Sequence, residues 1–96
     1  MKIGIVSRTD RQDALELIKS IVTYLDESNV SMEMEKKITD ILTEYKQYST
    51  NINDMTSDIV LCIGGDGTVL YAQNTLSKKK IPVLSINMGT VGFLTE

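Results

Sequence analysis

The sequence predicts an α/β domain of three layers, in which a parallel β-sheet carries helices on both faces. Short apolar runs and longer amphipathic stretches follow one another in the order β-α-β-α-β-α-β. Residues 59–63 are apolar without alternation, which is typical of a strand that is covered on both faces. The segment GGDGT at 64–68 follows this run and precedes a helical pattern, where open α/β sheets commonly bind ligands.

Composition excludes several classes of function. The 96 residues are 42 % hydrophobic and 24 % charged, so we expect one domain over residues 1–96. A net charge of -3 argues against a nucleic-acid partner. The chain has no histidine, which excludes His-dependent triads and His metal sites within it. No stretch is apolar enough for a membrane helix, and the single cysteine, Cys62, suits a reducing cytoplasm.

The first half of the chain predicts two strands and two helices. Ile3 to Val6 is a short buried strand, and a helix capped by Thr9 or Asp10 ends at Asn29. Its apolar stripe comprises Leu15, Leu17, Ile18, Ile21, Val22 and Leu25. Val30, Met32 and Met34 alternate with polar residues, which favours a half-exposed edge strand.

The pattern from Lys36 to Tyr48 predicts the second helix, and the stretch from Ser49 to Ser57 a polar connection. The inward face of this helix comprises Ile38, Ile41, Leu42 and Tyr45.

The second half predicts the central strand, Asp58 to Ile63, and a third helix that starts at Gly67 or Thr68. The inward residues expected in this helix are Val69, Leu70, Ala72, Gln73 and Leu76. Lysines 78–80 are expected at a solvated helix end. Ile81 to Ile86 is the last strand, with Pro82 tolerated near its start.

The glycine-rich loop has a phosphate-binding composition. Gly64, Gly65 and Gly67 allow the backbone to approach an anion at a helix N-terminus, and Thr68 can cap the helix. Asp66 could bind the Mg²⁺ that accompanies phosphates or accept a proton from an attacking hydroxyl. The alternative is a structural turn, because Asp-Gly is a common turn pair. Neither the Walker A pattern nor G-x-G-x-x-G is present.

Two motifs together resemble one kinase family. GGDGT at 64–68 is shared by NAD kinases, by diacylglycerol and sphingosine kinases and, in related form, by phosphofructokinases. INMGTVGFLTE at 86–96 resembles the N-x-G-x-x-G-F-L segment of NAD kinases, whereas lipid kinases tend to have G-T-x-N-D there. The resemblance implies a phosphofructokinase-like α/β fold, that of the NAD kinase N-terminal domain.

This resemblance implies transfer of a phosphoryl group from ATP or polyphosphate to the 2′-hydroxyl of the adenosine ribose of NAD, giving NADP. Asp66 would accept the proton of that hydroxyl. The nucleotide-binding residues implied are Gly64, Gly65, Gly67, Thr68, Leu70, Asn87, Gly89, Phe93 and Leu94. The family also implies a divalent ion, Mg²⁺, with no ligand assigned to it in this chain, and a homo-oligomer for the full-length protein.

The chain departs from the family in two respects. Many members have a basic residue at the position of Tyr71. The family's catalytic unit continues into a largely β C-terminal domain with an Asn-Glu or Asn-Asp motif, to which nothing before Glu96 corresponds. We therefore expect a piece of a longer protein that is inactive alone. A lipid kinase with the same loop is one alternative, and a receiver-like signalling module phosphorylated on an Asp is another.

Overall fold

The computed structural model describes residues 1–88 and has an all-parallel sheet of five strands with helices on both faces. The strands are β1 (Lys2–Ser7), β2 (Ser31–Glu35), β3 (Ser49–Thr50), β4 (Ile59–Gly64) and β5 (Val83–Asn87). The α-helices are α1 (Gln12–Glu27), α2 (Lys36–Thr39) and α3 (Asp66–Leu76). The predicted three-layer α/β class is confirmed.

The strand order in the sheet is β3-β2-β1-β4-β5. From β1 the chain builds outward to β2 and β3, and then returns to place β4 on the other side of β1. Ile5 in β1 thus pairs with Met34 on one side and with Leu61 on the other. The direction of building reverses between β1 and β4, and in open α/β sheets this reversal marks the usual ligand crevice at the carboxyl ends of the strands.

Each face of the sheet has its own buried cluster. Ile5 and Ile63 pack with Ile18 of α1 on one face. Val60 and Cys62 pack with Leu76 of α3 on the other face. Because the side chains of a strand alternate between faces, β1 and β4 contribute to both clusters, which explains their continuous apolar runs. Cys62 is fully buried, and burial raises the pKa of its thiol to about 11, as expected of a core residue.

The predicted helix from Lys36 to Tyr48 is wrong. Helix α2 ends at Thr39, and a separate 3₁₀ helix covers Thr43–Tyr48. Thr39 turns its hydroxyl to the Lys36 carbonyl and to Ser49. The break allows the chain to return to the sheet at β3, so tertiary pairing overrides the local helical pattern.

Strand β3 itself was expected to be part of a polar connection. Its two residues pair with Met34 and Glu35, and β2 is therefore not at the edge of the sheet. Two polar residues carry no periodicity that could reveal a strand. Ile41, predicted to face inward, is half exposed after the break, whereas Ile38 and Leu42 are buried.

Helix boundaries are partly as predicted. Arg11 precedes α1 without a side-chain capping bond, so the predicted cap by Thr9 or Asp10 is wrong. The carboxylate of Asp10 instead binds Arg8. Helix α1 ends at Glu27, two residues before the predicted end at Asn29, and Asn29 itself adopts a left-handed conformation with a φ of 59°.

Helix α3 begins at Asp66, slightly earlier than expected, and its inward positions include Ala72 and Leu76. Leu70 and Gln73 are exposed, contrary to prediction, because they lie off the stripe that meets the sheet. Lysines 78–80 are exposed after this helix, as predicted, and β5 begins at Val83, just after Pro82. Within residues 1–88, no helix combines the length and the apolar character that crossing a bilayer requires.

Candidate nucleotide-binding site

The glycine-rich loop lies at the carboxyl edge of the sheet, where β4 ends and α3 begins. Gly64 is the last residue of β4, Gly65 is the N-cap of α3, and Asp66 is in the first helical turn. The first intrahelical bond runs from the Val69 N–H to the Gly65 carbonyl. The N–H groups of the first turn have no intrahelical acceptors and point away from the helix, which makes this edge attractive to anions.

The end of β1 lies directly beside the loop. The Arg8 N–H donates to the Ile63 carbonyl over 2.9 Å, which ties the residue after β1 to the end of β4. On the other side, Asn87 is paired in register with Gly64, and the Met88 N–H donates to the Gly64 carbonyl over 3.1 Å. The predicted site residues Gly64 and Asn87 therefore meet at one edge of the sheet.

A cleft of about 420 Å³ opens at this edge. The residues that line it are Arg8, Asp10, Lys37, Gly65, Gly67, Thr68 and Tyr71. Three of these belong to the predicted loop. Asp66 is exposed, and although its neighbours Gly65 and Gly67 line the cleft, Asp66 itself is not among the lining residues.

The three glycines of the loop differ in how much room surrounds them. A Cβ atom on Gly64 would lie 2.5 Å from the Thr68 Oγ1, and the φ of Gly64 is 158°. Gly64 is therefore required by packing against Thr68. A Cβ on Gly65 or Gly67 would meet no atom within 4 Å. The packing of residues 1–88 does not explain these two glycines, whereas close approach of a ligand to the backbone would.

Sequence reasoning missed three residues of the cleft. Arg8 follows β1 directly, so the rule that ligands bind at the reversal of strand order could have identified it. Asp10 was considered only as a helix cap. Lys37 reaches the cleft because α2 begins directly after β2. The predicted helix from Lys36 also began there, but no motif indicated that Lys37 would belong to a site.

Tyr71, where the family often has a basic residue, takes part in a small network around the buried Glu35. Its hydroxyl donates to Glu35 Oε2, and its ring lies 5.1 Å from the Lys37 ammonium. Burial, together with the bond to Glu35, raises the pKa of Tyr71 to about 12. The hydroxyl therefore remains a hydrogen-bond donor at neutral pH. Tyr71 carries no positive charge, but the ammonium of Lys37 lies beside its ring.

The remaining predicted site residues divide into two groups. Leu70 is 59 % exposed, so its side chain is available on the outer side of α3. Gly89, Phe93 and Leu94 lie outside the described residues.

Known proteins of one family resemble this chain along its whole length. Residues 3–96 match the family model described as ATP-NAD kinase N-terminal domain. An NAD kinase of Methanosphaera stadtmanae is 58 % identical over 96 residues, which are all of this chain and 35 % of that protein. An NAD kinase of Methanothermobacter thermautotrophicus is 42 % identical over 96 residues, again all of this chain and 34 % of that protein.

A bifunctional NADP phosphatase/NAD kinase of Methanococcus maripaludis is 37 % identical over 97 residues, which cover 97 % of this chain and 17 % of that protein. The chain spans about a third of the length of the two NAD kinases named above. These matches do not favour the lipid-kinase or receiver-like alternatives. The match over residues 3–96 and the identities along the whole chain show that it belongs to the ATP-NAD kinase N-terminal domain family.

Proposed function

We propose that this chain forms the nucleotide-binding half of an enzyme that phosphorylates NAD. The reaction transfers a phosphoryl group from ATP or polyphosphate to the 2′-hydroxyl of the adenosine ribose, giving NADP. The observation that carries the proposal is the loop 64–68, which places Asp66 in the first turn of α3 beside a cleft at the reversal of strand order. Family membership supports the choice of NAD as acceptor.

In this proposal Asp66 is the catalytic base. An exposed carboxylate between two residues that line the cleft can approach a hydroxyl of a substrate bound over the loop and accept its proton as the phosphorus–oxygen bond forms. Gly65 and Gly67 leave room for the substrate beside the backbone. The N–H groups at the start of α3 would stabilise negative charge on the phosphates. Leu70, Asn87, Gly89, Phe93 and Leu94 would complete the dinucleotide contacts.

Magnesium fits only as an ion shared with the substrate. Among residues 1–88, no group of three or more His, Cys, Asp or Glu side chains could hold a metal ion. In kinase sites Mg²⁺ is commonly held by one or two carboxylates together with substrate phosphates. Because Asp66 is proposed here as the base, no residue of this chain is assigned as a ligand, and the ion would neutralise the charge of the substrate phosphates.

The chain on its own would lack part of the pocket. The two NAD kinases that it matches are about three times as long, so we propose that further residues grip the dinucleotide and that the 96-residue chain alone has little or no activity. The single, buried cysteine agrees with a reducing cytoplasmic setting.

Replacement of the base tests the proposal. In the intact protein that carries this chain, Asp66→Asn should lower kcat for NADP formation by about 10²- to 10⁴-fold, because a positioned base contributes a factor of that size. The KM for NAD should change little. NADP formation with ATP or polyphosphate is measured by coupling to an NADP-specific dehydrogenase.

Asp26→Asn is the matched control. Asp26 is an exposed carboxylate of α1 outside the cleft, and the substitution removes the same charge. It should leave kcat unchanged. Near-normal turnover of the Asp66→Asn variant would refute the assignment of Asp66 as the base.

A further inference from the structure

Two cationic residues, Arg8 and Lys37, line the cleft, and neither belongs to the glycine-rich motif. Arg8 follows β1, and Lys37 follows β2 in the first turn of α2. Both line the cleft together with Gly65, Gly67 and Thr68 of α3's N-terminal end. Because β1 and β2 are neighbouring parallel strands, the two cationic residues that follow them lie at the same edge of the sheet.

Arg8 is held in position without using all of its donors. Its Nε and Nη2 donate to the two carboxylate oxygens of Asp10 over 2.7 and 2.9 Å. Its backbone N–H is bound to Ile63, as described above. A guanidinium has five N–H donors in a fixed fork, so several remain for a ligand once Asp10 has taken two. Asp10 thus acts as a positioning residue for Arg8.

Lys37 is attracted from two sides but hydrogen-bonded on neither. Its Nζ lies 5.1 Å from the Tyr71 ring and 3.9 Å from Glu35 Oε1. The second distance is too long for a hydrogen bond, so the ammonium keeps its N–H donors available.

Glu35 explains why Lys37 stays there. This carboxylate is only 6 % exposed, and its Oε1 has no hydrogen-bond partner among residues 1–88. Its other oxygen accepts the bond from the Tyr71 hydroxyl. A buried carboxylate oxygen without a hydrogen-bond partner is costly, so the nearby ammonium is held by attraction to it and to the ring of Tyr71.

The arrangement suits a ligand with several anionic oxygens in a row. Two cations line the cleft, and the N–H groups at the start of α3 follow β4, the strand next to the one that Arg8 follows. Among the lining residues that the structure describes, Asp10 is the one carboxylate, and Arg8 already binds it. A single carboxylate ligand would engage only one of the cations, whereas a phosphate chain could engage both cations and the helix N-terminus.

We infer that Arg8 and Lys37 form a clamp for a phosphate chain, with Asp10, Glu35 and Tyr71 as the residues that position it. This inference rests on the proposed function only for the identity of the bound phosphate chain, which would belong either to the phosphoryl donor or to the dinucleotide.

The test compares Arg8→Gln, Lys37→Gln and the double variant in the intact protein. Binding of inorganic tripolyphosphate is measured by calorimetry at low salt. Each single variant should bind about tenfold or more weakly, because each removes charge-assisted hydrogen bonds. Arg8→Lys should recover part of the loss, since it restores the charge but not the fork. The KM values for ATP, polyphosphate and NAD then show which phosphate chain the clamp holds.

Lys36→Gln is the control. Lys36 is the neighbour of Lys37, carries the same charge and pairs with Asp40, but lines a different cleft. It should leave tripolyphosphate binding unchanged. Equal losses in the Lys36 and Lys37 variants, or unchanged binding in the double variant, would overturn the clamp.

These outcomes are separable from those of the proposed function. If NADP is formed normally while the double variant binds tripolyphosphate and all three substrates as the wild type does, the clamp is wrong and the proposed function stands. If no NADP is formed but binding falls as expected, the clamp stands and the proposed acceptor is wrong.

Discussion

The glycines of the segment 64–67 meet different surroundings, and the difference separates packing from function. The side chain of Thr68 leaves no room for a Cβ atom on Gly64, while the space beside Gly65 and Gly67 is open. Gly67 is also inside a helix, where glycine is less favourable than alanine. A residue that is costly for the helix and not required by packing is best explained by a ligand that passes close to the backbone.

Gly67→Ala should therefore raise stability and lower activity. We expect the free energy of unfolding, measured with urea, to rise by up to about 1 kcal/mol, because alanine is the better helix former and restricts the unfolded chain. NADP formation by the intact protein should fall by about tenfold or more, because the new methyl group displaces the substrate.

Gly64→Ala provides the contrast. Its methyl group would overlap the side chain of Thr68, and overpacking of this kind costs about 1–3 kcal/mol. The same urea experiment should show this loss. If Gly67→Ala destabilised the protein as much as Gly64→Ala, the argument that Gly67 serves the ligand would fail.

Among the elements, the strands of the sheet's centre were easier to predict than the segment between β2 and β4. The unbroken apolar run of β4 and the amphipathic stripe of α1 are strong local patterns, and both were confirmed. Helix α2 and β3 depend on a pairing between β2 and Ser49–Thr50 that no local pattern records. The alternation in β2 was read as an edge strand, although a short polar strand covers that edge.

The connection between β1 and α1 gives a prediction about pH. The hydrogen bonds from Arg8 lower the pKa of Asp10 from 3.8 to about 2, with a smaller contribution from its own backbone N–H. Because the folded-state pKa is depressed, the stabilisation by this ion pair is present above about pH 4 and is lost as the pH falls towards 2. The titration of the Asp10 carboxyl carbon, followed by NMR, should have its midpoint near 2.

The matched variant is Arg8→Gln. Without the guanidinium, the midpoint of Asp10 should return towards 3.8. The same midpoint in the wild type and in Arg8→Gln would show that Arg8 does not hold Asp10 in solution, and would remove one support of the clamp.

At the scale of the whole molecule, the sequence predicted where the site lies better than which residues complete it. The loop 64–68 and the strand before it indicated the carboxyl edge, and the structure places the cleft there. Arg8 and Lys37 are far apart in the chain and follow different strands. They converge only through the order β2-β1-β4, which places their strand ends beside the glycine loop.

This convergence supports a division of work within the proposed enzyme. In the proposed function the described residues would hold phosphates and provide the base, Asp66, while residues outside this chain would add further contacts to the dinucleotide. The two NAD kinases compared above, of which this chain covers 35 % and 34 %, are long enough to contain such residues.

The most direct test of this account is the identity of the product. The intact protein is incubated with NAD and either ATP or polyphosphate, with Mg²⁺ present, and the product is examined by ³¹P NMR. The account predicts a new phosphomonoester on the 2′-oxygen of the adenosine ribose, which disappears in the Asp66→Asn variant. A phosphate on another hydroxyl, or no phosphorylated NAD with either donor, would contradict it.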